Sequence, residues 1–439
     1  MKILHVISSL NPINGGPVES VKNFCKYYKL FNEDVEIVCS DEPHDKWLKD
    51  PRLPKVHALG PVKFKYSLNF KLLKWFKNNI KKYDVLVING IWQFHSFASW
   101  RYCKKNKIPY VLFLHGMLDP YFNKGNILKK LKKILYWFLI ESKILRDAYR
   151  VLFTSKLERK LAYKSFSPYK INEYDLGYGV EGIPKSYNFK NNLFIKKYNL
   201  KNRKYLLYLG RLDKKKGLDL LIKSFAIINK IDKNLILVLA GSRNDYLTKN
   251  LINLINDYSL KKNIVITGPI YGNLKWGALA NCDVLCLTSH QENFGLVIAE
   301  ALSCSKPVLI TNKINIYDKI NHYKAGLVCE DNFDAVTKMM KKYIRLNPKN
   351  YNTMCKQAKI CFNENYKIEK TVYKLLNLLR KIISRFEKEG KVILNSERPL
   401  PQDLLKYQLN YKGIPNHNSI LKHNKAHNPN YHFRVHCLD

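Results

Sequence analysis

The 439-residue sequence predicts an α/β protein of two domains, each a doubly wound parallel sheet flanked by helices. Three observations predict it. The chain is longer than one ordinary core serves. Short apolar, β-branched runs alternate with helical patterns along most of its length, the rhythm of βα units. That alternation then restarts near residue 204, so the two halves read as two sheets.

In the first half, residues 2–8 (KILHVIS), 34–40 (DVEIVCS), 84–90 (DVLVING), 109–116 (PYVLFLHG) and 149–155 (YRVLFTS) are the expected strands. Their near-continuous apolar character is that of strands buried on both faces. A helix is predicted after Gly15 and Gly16. Val18, Val21, Phe24 and Tyr28 recur at helical spacing there, and Pro17 suits the first turn. The second half offers strands at 204–210, 235–241, 263–268, 283–289 and 306–311, with a helix from Gly217. The expected division is 1–185 for a first Rossmann-like domain, 186–203 for a linker and 204–365 for a second domain. Residues 366–388 form a helix able to cross back to the first domain, and 389–439 an irregular tail rich in Asn, Pro and His. The tail histidines His417, His423, His427, His432 and His436 match no metal-site spacing.

Composition is globular, 46% hydrophobic and 25% charged, and no run is long enough to span a bilayer. Polar NPINGG follows the first apolar run, where a secretory signal would place its cleavage site, so a cytoplasmic chain is expected. The ten cysteines lack paired short spacings and read as small buried hydrophobes of a reduced protein. The formal charge of +41 leaves two readings open. One is attraction to a polyanion or an anionic membrane, the other a solvated surface in a chain crowded with Lys. The stretch 128–140 poses the same choice locally, between a helix lying on a membrane surface and a core helix with a lysine-rich exposed face.

Ligands of doubly wound sheets bind at the carboxyl ends of the strands, and the loops there carry the candidate chemistry. Glu292 follows one strand, and the amides of Phe294, Gly295 and Leu296 lie where a helix begins, which suits a phosphate. Glu300 lies farther along that helix, where a carboxylate can accept bonds from vicinal hydroxyls. Arg211 and Lys216 flank a turn ending at Gly217, while Lys214 and Lys215 read as surface residues. Gly15 and Gly16 bring bare backbone to the end of the first strand, in a pattern that is not the G-x-G-x-x-G dinucleotide fingerprint. His115, before Gly116, stands at another strand end.

The segment ENFGLVIAE, from Glu292 to Glu300, resembles the two-glutamate motif of retaining glycosyltransferases of family 4, the "group 1" family with the GT-B fold of two Rossmann-like domains facing a central cleft. GRLDKKKG resembles its G-R-L…K-G element, and the HG of FLHG its His-Gly. Two departures stand out: Ser305, where Gly is usual, and Tyr178, where Asn is usual. The resemblance covers residues 1 to about 385, with its specific motifs mostly in 204–311.

It implies that Glu292 contacts the donor sugar, that Phe294, Gly295 and Leu296 sit at its phosphate with Asn293 also binding the donor, and that Glu300 binds the ribose. It also implies that Arg211 and Lys216 neutralise the diphosphate, with His115 near the reacting carbon and the Gly15–Gly16 loop closing from the first, acceptor-side domain. The expected activity is retaining transfer from a UDP- or GDP-sugar to a hydroxyl of a saccharide or lipid-linked acceptor in surface polysaccharide or glycolipid synthesis. No metal or cofactor is expected beyond the nucleotide-sugar co-substrate, and the chain is placed peripherally on the inner membrane face. Two alternatives are a sugar-nucleotide epimerase and a basic nucleic-acid-binding protein. The second lacks any recognisable module.

Overall fold

Thirteen strands among the described residues, the central ones largely buried and apolar, form two parallel sheets. The computed structural model describes residues 1–62, 66–123, 127–188, 193–242 and 245–388, without the side chains of Lys129 and residues 245–247. These residues fall in one compact unit, Met1–Leu394. The expected tail at 389–439, with its histidines, lies outside the described residues.

The first sheet comprises β1 (Lys2–Ile7), β2 (Asp34–Cys39), β3 (Lys55–Ala58), β4 (Val85–Asn89), β5 (Tyr110–Phe113), β6 (Arg150–Phe153) and β7 (Glu173–Asp175), in the order β3-β2-β1-β4-β5-β6-β7. The second comprises β8 (Tyr205–Leu209), β9 (Ile236–Ala240), β10 (Ile264–Gly268), β11 (Val284–Leu287), β12 (Val308–Thr311) and β13 (Gly326–Cys329), in the order β10-β9-β8-β11-β12-β13. Every expected strand forms. Three strands were not expected, β3, β7 and β13, and all three are edges. An edge strand has one neighbour and is partly exposed, as these are, so it does not need the continuous apolar run that marks a central strand.

Strand order reverses between β1 and β4 in one sheet and between β8 and β11 in the other. At such a reversal successive crossovers leave on opposite faces and open a crevice at the carboxyl ends. The loops after β1, β8 and β11 therefore meet between the sheets. Helix Gly16–Tyr28 forms as expected behind β1, burying Val18, Val21, Phe24 and Tyr28. The helix Ile368–Lys388 returns to the first sheet's side: Arg380 pairs with Glu33, Lys374 donates to the Asp175 carbonyl, and Phe386 meets the Tyr149 ring at 5.6 Å.

Nine cysteines among the described residues are unpaired, and seven of them are buried. Cys437 lies outside the described residues. No helix among the described residues is long and apolar enough to cross a membrane.

Candidate active site

Between the sheets lies a cavity of about 490 Å³. Gly15, Gly16, His115, Arg211, Lys216, Glu292, Asn293, Phe294, Gly295, Leu296 and Glu300 all line it. The structure thus brings every sequence-predicted site residue to one place.

The loop after β8 is tied down from below. Gly217 adopts φ 62°, and a Cβ there would stand 2.0 Å from the Thr288 carbonyl oxygen. Only glycine fits so close to β11's end. The Thr288 hydroxyl donates to the Gly217 carbonyl at 2.8 Å. This fixes the preceding turn, where Asp213 caps Lys215's amide at 3.0 Å and Lys216 turns inward to pair with the Glu292 carboxylate. Glu292 is itself held by backbone bonds: its amide donates to the Lys313 carbonyl at 3.0 Å, and its carbonyl accepts from the Asn315 amide at 3.1 Å.

Phe294 anchors the next step, buried against Tyr178 (ring centroids 4.8 Å apart) and Tyr366 (5.5 Å). Gly295, at φ 73° and ψ 70°, then starts the helix Leu296–Ser303. The amides of Phe294, Gly295, Leu296 and Val297 make no hydrogen bond among the described residues. The predicted cluster of free helix-start donors is therefore present, and it extends one residue further, to Val297. Glu300 is not an idle surface acid. Its carboxylate accepts from Lys275 at 2.8 Å, and the Lys275 ammonium stands 4.5 Å from the Trp276 ring centroid.

Two lysines were missed by sequence reasoning. Lys275 carries no motif signal in a chain so rich in lysine. Lys215, expected at the surface, lines the cavity with its ammonium 5.8 Å from the Phe122 ring centroid. Burial lowers its pKa, as do the neighbouring charges of Lys216 and Arg211, with Glu292 opposing. Lys214 is exposed, as expected. With Arg211, the cavity presents four cations against the two carboxylates Glu292 and Glu300. This positive surplus suits an anionic ligand. Gly241, Ser242, Pro269 and Ile270, from the loops after β9 and β10, also line the cavity.

The first sheet contributes the opposite wall. Tyr178, the departure from the family pattern, donates its hydroxyl to the Gly16 carbonyl at 2.9 Å and so steadies the glycine loop. His115 adopts φ 51°, stacks on Phe113 at 4.2 Å, and its Nε2 lies 3.2 Å from Asn89 Oδ1. Asn89 in turn donates to His5 Nδ1 at 3.2 Å, and His5 Nε2 meets the Tyr28 hydroxyl at 3.2 Å. An amide oxygen can only accept, so His115 presents Nε2–H to it. Burial lowers the His115 pKa to about 3, with His5 adding to the effect, so the ring is neutral near pH 7.

The adjoining Gly116 amide donates to buried Glu158 at 2.6 Å, as does the Thr154 amide at 2.6 Å. Asn293 reaches across to the Thr154 hydroxyl at 3.2 Å, and Gln291 to Asp119 at 2.9 Å. These two contacts join the walls of the cleft. They also engage the Asn293 side chain with protein on both sides, since Asn315 donates to its oxygen at 3.3 Å.

Comparison with known proteins bears on the family and the fold. Residues 190–360 match the family model described as "Glycosyl transferases group 1", and residues 15–170 match a "Glycosyl transferase 4-like domain". An α-1,3/1,6-mannosyltransferase of Dictyostelium discoideum is 23% identical over 327 residues, covering 69% of this chain and 76% of the relative. The capsular polysaccharide biosynthesis glycosyltransferase CapM of Staphylococcus aureus is 30% identical over 177 residues. That alignment covers 38% of this chain and 45% of the relative, so it spans under half of CapM. The solved structure of HepE from Anabaena, in complex with UDP and glucose, superposes with a TM-score of 0.71 at 18% identity. It covers 87% of this chain and 100% of that one, and shows the fold to be GT-B. The chain belongs to the group 1 glycosyltransferases.

Proposed function

We propose that this enzyme transfers a sugar from a UDP- or GDP-sugar to a hydroxyl of a saccharide or lipid-linked acceptor, with retention at the anomeric carbon, in surface polysaccharide or glycolipid synthesis. The observation that carries the reading is the convergence of four cations and a run of free helix-start amides on one cavity. A nucleotide diphosphate leaving group gains negative charge as its bond to the anomeric carbon breaks, and fixed cations and amides lower that barrier. Arg211, Lys215 and Lys216 carry this role, without a metal or further cofactor. A diphosphate that takes over Lys216 releases Glu292 from its ion pair and leaves its carboxylate to the sugar hydroxyls. Glu300, oriented by Lys275, accepts from the ribose.

The bond from the anomeric carbon to the leaving phosphate oxygen breaks while the acceptor oxygen bonds to that carbon on the same face. The acceptor's proton passes to the departing phosphate, so no protein nucleophile is required. Neutral His115 places no positive charge near the carbon where cationic character develops. HepE, a GT-B protein crystallised with UDP-glucose, supports a nucleotide-sugar donor here.

A panel of nucleotides and nucleotide sugars, scored by thermal shift, tests this. A true donor present at about 100 times its Kd stabilises the fold by about 2.7 kcal/mol. Nuclear magnetic resonance of the product then reports an unchanged anomeric configuration. A panel with no response, or an inverted product, contradicts the proposal.

A further inference from the structure

The helix that starts at Ile127 turns its apolar side toward solvent. Ile127, Leu128, Leu131, Leu135, Phe138 and Leu139 are exposed, Leu128 by 69%, Leu135 by 61% and Phe138 by 63%. At 3.6 residues per turn the first four share one side of the helix Ile127–Tyr136, and Phe138 and Leu139 extend the exposed apolar run through the π-helical turn Trp137–Glu141. The other side meets protein. Trp137 is buried, its ring stacked on Phe166 at 5.0 Å, and Tyr136 bonds the Tyr66 hydroxyl. Lys133 points inward, 5.5 Å from the Trp92 ring centroid, and donates to the Phe122 carbonyl at 3.3 Å. A core helix would be oriented the other way.

By the same spacing, Lys130 and Lys132 fall on the two flanks of the apolar side, and both are exposed. The sequence from Asn123 to Ile140 contains no acid. An apolar stripe of this extent on a water-facing surface marks a contact site. Cations along both flanks select an anionic interfacial partner, because their stems lie along apolar surface while the ammonium groups reach the headgroups. A second copy of this chain, with a formal charge of +41, would set lysine against lysine.

We propose that Ile127–Leu139 docks on an anionic lipid bilayer, with its apolar side chains at the acyl boundary and Lys130 and Lys132 at the headgroups. Phe122, which accepts the Lys133 bond, also lines the cavity, so the helix that carries the docked face is tied to a cavity-lining residue. Resting on the transferase reading above, this selects a saccharide carried on a lipid of that bilayer as the acceptor.

Flotation of the full chain with phosphatidylglycerol-containing vesicles and with phosphatidylcholine vesicles tests the docking, alongside thermal shift with UDP and GDP. The expected result is flotation with the anionic vesicles, roughly tenfold weaker binding to the neutral ones, and weakening as salt is added. The double substitutions Leu131→Glu with Leu135→Glu, and Lys130→Glu with Lys132→Glu, each reduce binding by about tenfold or more and leave the nucleotide response intact. All four positions are exposed, so the fold tolerates the changes. Absence of binding to anionic vesicles, or binding unchanged in both variants, overturns the proposal. So does a concentration-dependent dimer that the leucine substitutions dissolve, which would assign the face to a second copy. Nucleotide response without vesicle binding defeats this inference alone. Vesicle binding without nucleotide response supports the docking and defeats the transferase reading.

Discussion

Lys275 and Lys215 show where reading single residues from sequence ends. Motif spacing makes Arg211, Lys216, Glu292 and Glu300 stand out, because the first three occupy strand-end loops and Glu300 lies along the helix that follows Glu292. A lysine among so many has no such signature. Its role depends on which partner the fold brings near, here Glu300 for Lys275 and the Phe122 ring for Lys215. On the proposed reading, Glu300 binds the ribose alike in ground and transition states. Glu300→Gln should then raise KM for the donor by about tenfold with kcat nearly unchanged, as measured by initial rates.

Glu141 is a further residue that sequence did not flag. It is wholly buried, accepts from the Trp92 amide at 2.7 Å through Oε1, and its Oε2 has no partner among the described residues. Burial pushes its pKa from 4.5 up to about 8, against the pull of the Trp92 amide. The folded state therefore holds the proton more tightly than the unfolded state. The stability this contributes is whole below the unfolded value and is lost as pH rises through the folded one. Melting curves should show the wild type losing stability between about pH 5 and 8, and Glu141→Gln losing several degrees less over that range.

At the scale of elements, every central strand declared itself, and of the four edge strands only β10 did. β1, β4, β8 and β11 are continuous apolar runs because neighbours cover both faces. β3, β7 and β13 are short and partly exposed, so their pattern merges with loop. The helix Leu296–Ser303 was anticipated, with its start two residues later than expected because Gly295 takes the left-handed conformation. The orientation of the helix from Ile127 was not legible. Periodicity shows that a helix has an apolar side and says nothing of which way that side faces. Tight element-to-element approach makes its own prediction. Gly217→Ala forces a Cβ against the Thr288 carbonyl at a left-handed position, and should lower stability by about 2 kcal/mol or more in denaturant titration.

For the whole molecule, two sheets with reversal points face one another, and the chemistry follows from that arrangement. Gln291 with Asp119 and Asn293 with Thr154 join the cleft walls, so a loop of the second sheet reaches the wall that carries His115. The two-sheet architecture was legible in the repeated strand rhythm. Family membership favours a transferase over the nucleic-acid reading that the net charge had left open. The central claim is that the cavity's charges hold a nucleotide-sugar donor and stabilise its leaving diphosphate. Donor turnover by the wild type and by Lys216→Ala and Glu292→Ala tests it most directly. The account predicts a fall of about 10²–10³-fold in kcat for each variant with the fold intact by circular dichroism. Turnover that survives either substitution undiminished would contradict it.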